Sequence, residues 1–98
     1  MSFSEGESRR TLTIRNELGL HARAAAQLVQ VANRYECELY IRRDELEVNG
    51  KSIMGVLMLA ASPGTQIEVR AVGSDEATRR ALLDELAKLI ENRFGEDR

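Results

Sequence analysis

Two hydrophobic periods alternate along this chain, and their order constrains its fold more than any other feature. In Thr11 to Arg15, Leu12 and Ile14 alternate with polar neighbours, the period of two that marks a strand with one buried face. Gly19 interrupts it. Ala25, Leu28, Val29, Ala32 and Tyr35 then recur at spacings of three and four, which predicts a helix starting just after His21. Cys37, Leu39 and Ile41 alternate with Glu38, Tyr40 and Arg42, and Leu46 and Val48 repeat the pattern after a polar turn at Arg43 to Glu45, a predicted hairpin. Ser52 suits a helix N-cap ahead of a short stripe of Ile53, Val56, Leu57 and Ala60. Ser62-Pro63-Gly64 ends that helix, and Ile67, Val69 and Ala71 alternate as a fourth strand. Ser74-Asp75-Glu76-Ala77 opens a last helix with Leu82, Leu83, Leu86, Leu89 and Ile90 on its apolar face. The order is βαββαβα. Strands with a single buried face need helical cover on that side only, so the expected class is α+β, a two-layer open-faced sandwich.

A chain of 98 residues has room for one such core, expected over 9–94, between polar tails at 1–8 and 95–98. Fourteen Lys and Arg against sixteen Asp and Glu leave a net charge of −2, which argues against a general attraction for nucleic acid. Cys37 and His21 are each the sole residue of their type, so neither an internal disulfide nor a metal site is expected. No apolar run approaches the roughly 20 residues needed to span a bilayer, and the first residues lack the regions of a signal peptide. A cytoplasmic monomer without a cofactor is the expectation.

One stretch conflicts with the rules that build helices. The N-terminus of a helix carries a partial positive charge from its unpaired N–H groups, so Ser, Thr, Asp or Asn would cap it and Glu would suit its first turn. Here the first helix begins with His21 and Arg23, both basic. A bound phosphate resolves the conflict, because free N–H groups, dipole and guanidinium would then direct favourable charge to one place. The same dipole disfavours a protonated imidazole, which leaves a ring nitrogen lone pair free to attack phosphorus. Gly19 lets the preceding backbone turn tightly. No second acid–base group accompanies His21, which argues against an independent enzyme.

The stretch Gly19-Leu20-His21-Ala22-Arg23-Ala24-Ala25 resembles the active-site motif of the HPr family, the histidine-containing phosphocarriers of the phosphoenolpyruvate-dependent phosphotransferase system. Lys51-Ser52-Ile53-Met54-Gly55-Val56 resembles that family's second signature. The resemblance implies a four-stranded antiparallel sheet in the order 1-4-2-3 under three helices, phosphorylation of His21 on Nδ1, and pairing of Arg23 with the phosphate. It implies enzyme I as donor and enzyme IIA-type proteins as acceptors, for sugar uptake or regulation. The family usually has proline where this chain has Ala24. Alanine keeps the helix and adds one N–H donor near the phosphate.

The resemblance also implies regulation at Ser52 by an HPr kinase/phosphorylase, since the surrounding residues match the version of the family phosphorylated there. A phosphate at that position would sit at a helix N-terminus and repel an acidic partner. Ile53, Met54, Leu57 and Met58 crowd about two turns of helix with more apolar surface than one buried stripe hides. With Leu20 and Ala22 beside the histidine, Ile53, Met54 and Leu57 make up the expected partner surface. Gly50-Lys51-Ser52 does not complete a P-loop, because Glu45 stands where its first glycine would be. A regulator that keeps the fold and docks to a sensor is the alternative reading.

Overall fold

The period-2 segments pair into one antiparallel sheet. In the computed structural model, which describes residues 6–98, the strands are β1 (Gly6–Thr13), β2 (Glu38–Arg43), β3 (Leu46–Asn49) and β4 (Gln66–Gly73). They lie in the order β1-β4-β2-β3, and three helices, α1 (Ala22–Ala32), α2 (Ile53–Met58) and α3 (Glu76–Glu91), complete the βαββαβα chain. Register aligns the inward residues across the sheet: Leu12 faces Ile67, and Val69 faces Ile41. These side chains are buried with Leu28, Val29, Leu82, Leu83, Leu86 and Ile90 of the helices in one core. This is the α+β open-faced sandwich with strand order 1-4-2-3.

The other face of the sheet carries charge. Arg42 pairs with Glu68 at 3.2 Å, Arg70 with Glu47 at 3.1 Å, and the Arg70 guanidinium lies 4.7 Å from the centre of the Tyr40 ring. Exposed pairs of this kind contribute little to stability individually, but they keep that face hydrated and without an apolar patch.

Strand β1 starts earlier than its hydrophobic pattern does. Gly6 to Ser8, expected in a tail, pair with Ala71 to Gly73, while residues 1–5 of that expected tail lie outside the described residues. The inward positions Ser8 and Arg10 are polar because α3 meets them with polar groups. Arg79 donates from Nε to Ser8 Oγ at 3.0 Å, and Arg10 pairs with Asp84 at 2.8 Å. Arg79 is itself buried and also donates to the Gly73 carbonyl, so this end of the strand is held by hydrogen bonds in place of apolar contacts. Helix α1 ends at Ala32, short of Tyr35, which still packs against the core and donates its hydroxyl to Glu85. Cys37 falls just ahead of β2, and burial pushes its thiol up, away from reactive thiolate.

Candidate functional site

The turn before α1 places the histidine. Gly19 adopts φ 67°, and a Cβ added there would stand 2.4 Å from the Ala61 carbonyl oxygen. Only glycine fits both conditions. The same carbonyl accepts from Leu20 N–H at 2.9 Å, which ties the turn to the chain after α2. Buried Asn16 braces it from below, donating through Nδ2 to the Gly19 carbonyl at 2.8 Å. Leu20 was expected at the partner surface and is instead only 4% exposed, because the left-handed turn at Gly19 sends the next side chain into the core.

His21 is the N-cap of α1, in extended conformation at φ −77° and ψ 179°. Its Nδ1 accepts from the Arg23 backbone N–H at 3.3 Å, a long contact that an incoming group can displace. Its Nε2 meets the Glu96 carboxylate. A carboxylate accepts and does not donate, so Nε2 carries the hydrogen and Nδ1 keeps its lone pair. That pair points at the open end of α1, where no acidic residue occupies the first turn. Among the described residues nothing accepts from the N–H groups of Ala22 and Ala24. Arg23 is exposed there and makes no ion pair among the described residues, while the Ala24 side chain is fully buried. The arrangement offers a nucleophilic nitrogen, free backbone donors and a guanidinium at one helix end.

Glu96 reaches this site from a segment expected to fray. The correction comes from the turn after α3: Arg93, Phe94 and Gly95 are all left-handed, at φ 56°, 55° and 80°, and they fold the chain back towards α1. Glu96 then bonds His21 through one carboxylate oxygen and accepts from Asn16 Nδ2 at 3.0 Å through the other. The hydrogen bond from His21, followed by that from Asn16, holds the Glu96 carboxyl below its usual range, with the nearby Arg23 charge adding to the effect. Such a group stabilises the fold fully above the ordinary carboxyl pKa of about 4.3, and that contribution is lost as pH falls through the lowered native value. Asp75, the N-cap of α3, is lowered too, first by its hydrogen bond from the Thr78 hydroxyl and then by that from Ala77 N–H. Urea unfolding between about pH 5 and pH 2 should therefore show falling stability, with a smaller fall in Glu96→Gln than in the wild type.

The second motif lies on the neighbouring helix, since α1 packs against α2. Ser52 caps α2, its Oγ accepting from Gly55 N–H at 3.1 Å. Met54 is 72% exposed, Ile53 and Met58 are also exposed, and Leu57 is half-buried against the core. Ala22 is exposed beside His21, and Leu18, which the sequence reading did not single out, adds a further exposed apolar side chain three residues before it. Among the described residues no cluster of three His, Cys, Asp or Glu side chains could hold a metal ion, and no helix is long and apolar enough to cross a membrane.

Comparison with known proteins gives the family. A family model described as "PTS HPr component phosphorylation site" matches residues 8–92. The chain is 51% identical over 86 residues to the phosphocarrier protein HPr of Xylella fastidiosa, covering 88% of this chain and 93% of that one. It is 50% identical to HPr of Pseudomonas aeruginosa, covering 87% and 92%. A crystal structure of HPr-C-His from Thermoanaerobacter tengcongensis superposes with a TM-score of 0.83 at 35% identity, covering 93% of this chain and 99% of that one. The chain belongs to the HPr family, the phosphocarrier proteins of the phosphotransferase system.

Proposed function

We propose that this phosphocarrier takes its phosphoryl group on Nδ1 of His21 from enzyme I and passes it to acceptors of the enzyme IIA type. The observation that carries the reading is the hydrogen-bonding of the ring. Nε2 is occupied by Glu96, so the lone pair is left on Nδ1, facing the free N–H groups of α1 beside Arg23. As the Nδ1 pair forms the new bond to phosphorus, the bond from phosphorus to the donor breaks and its electrons leave with the donor. The Arg23 N–H, released from Nδ1, can then turn to a phosphoryl oxygen, while the Arg23 guanidinium neutralises charge on the transferring group. Transfer onward runs the same steps in reverse order.

Docking belongs to the exposed apolar side chains around the site. Ala22 and Leu18 on one side and Ile53, Met54 and Met58 on the other can seat a partner's apolar surface while leaving His21 open. Phosphorylation of Ser52 by an HPr kinase/phosphorylase would add about −1.5 to −2 charge beside this surface, repelling an acidic partner without breaking α2. Incubation with phosphoenolpyruvate and enzyme I should add one acid-labile phosphoryl group by intact mass, and peptide mapping should locate it on His21. A wild type that stays unmodified with an active enzyme I would leave a docking module in place of a carrier.

A further inference from the structure

Glu96 lies in no helix or strand, yet its side chain is only 13% exposed and both carboxylate oxygens are engaged. Three features place it. The left-handed turn at Arg93 to Gly95 aims it, with Glu96 N–H donating back to the Arg93 carbonyl at 2.8 Å. Phe94, buried in the core, anchors that turn. Asn16 uses both hydrogens of its amide, one on Gly19 and one on Glu96, so a single side chain joins the loop that presents His21 to the carboxylate that meets it. The Asn16 Oδ1 is left buried without a partner, a cost the amide bears in this orientation. An ordinary surface ion pair needs none of this support.

We propose that Glu96 is a positioning residue for phosphoryl transfer, fixing His21 as the Nε2–H tautomer and offsetting the positive charge that builds on the ring as Nδ1 bonds phosphorus. This rests on the reading of His21 as acceptor. During the step the proton stays on Nε2, hydrogen-bonded to Glu96, while the Nδ1 lone pair becomes the N–P bond and the donor keeps the electron pair of the bond that breaks. Carboxylates on the far nitrogen of a working imidazole orient the ring and fix its tautomer in this way.

Since His21 is the sole histidine, ¹⁵N NMR of labelled protein reports its tautomer without assignment ambiguity. The wild type should show a pyridine-like Nδ1 and a pyrrole-like Nε2, and Glu96→Ala should move both towards the average of free imidazole. The rate of acceptance from phosphorylated enzyme I should fall by roughly 10- to 100-fold in Glu96→Ala. Glu96→Gln, whose amide oxygen can still accept from Nε2, should keep the tautomer and lose part of the rate, separating position from charge. An unchanged tautomer in Glu96→Ala, or an altered one with a rate within about twofold of wild type, overturns the proposal. A wild type that accepts no phosphoryl group defeats the acceptor reading of His21. That outcome is distinct from failure here, where the wild type is phosphorylated and Glu96→Ala matches it.

Discussion

His21→Ala will abolish phosphoryl acceptance, and Arg23→Ala will slow it by about 10²–10³-fold, the usual cost of removing one group aimed at transferring charge. Stability should move the other way for Arg23. Its exposed guanidinium sits at the positive end of α1 and makes no ion pair among the described residues, while its attraction for the nearby Glu96 carboxylate opposes that penalty, so the net gain on removing it should stay below about 1 kcal/mol. The unmodified protein would therefore carry a mild electrostatic penalty that a phosphoryl group on His21 would relieve. His21→Ala loses an N-cap interaction of about 1 kcal/mol together with the hydrogen bond to Glu96, and should still fold. Rapid-quench transfer from phosphorylated enzyme I, set beside thermal melts, checks both. An acid-labile phosphoryl group on His21→Ala would remove the histidine from the mechanism. An Arg23→Ala protein that loses rate and stability together would make the arginine structural.

The same mismatch made this pair legible in the sequence. Basic residues at a helix start are visible to anyone counting caps, and the alternation of periods two and three to four gave all seven elements in order. Periodicity reports which face of a strand is buried and not which strand lies beside it, so the order 1-4-2-3 rests on resemblance in the sequence and is established by the pairing of Leu12 with Ile67, Val69 with Ile41 and Ile41 with Val48. Polar Ser8 and Arg10 hid the first half of β1, because their partners Arg79 and Asp84 lie on α3 about 70 residues away in the chain. Leu20 was misplaced because adjacency to His21 says nothing of direction once Gly19 turns the backbone. Asn16 and Glu96 were invisible for a deeper reason. Arg93 and Phe94 in left-handed conformation carry no sequence signal, and only Gly95 hints that the chain reverses there.

That reversal leads to the second large effect: Phe94→Ala should lower the unfolding free energy by about 3 kcal/mol and slow phosphoryl acceptance as much as Glu96→Ala does. Phe94 is among the largest fully buried side chains, and a buried phenylalanine cut to alanine usually costs about 3–5 kcal/mol. The lower end applies because the backbone conformations at Arg93 and Phe94 cost about 1–3 kcal/mol each, part of which is recovered when the turn lets go. Burial of the ring is thus what holds a strained turn in place. Glu96 follows two residues later, so a released turn carries the carboxylate away from both His21 and Asn16. Urea unfolding at unchanged m-value measures the first effect, and the acceptance rate the second. The double variant Phe94→Ala/Glu96→Ala should then be no slower than either single variant, since both remove the same contact. Rates that multiply in the double variant, or a destabilised Phe94→Ala that still transfers at the wild-type rate, would show that the core does not hold the carboxylate on the histidine.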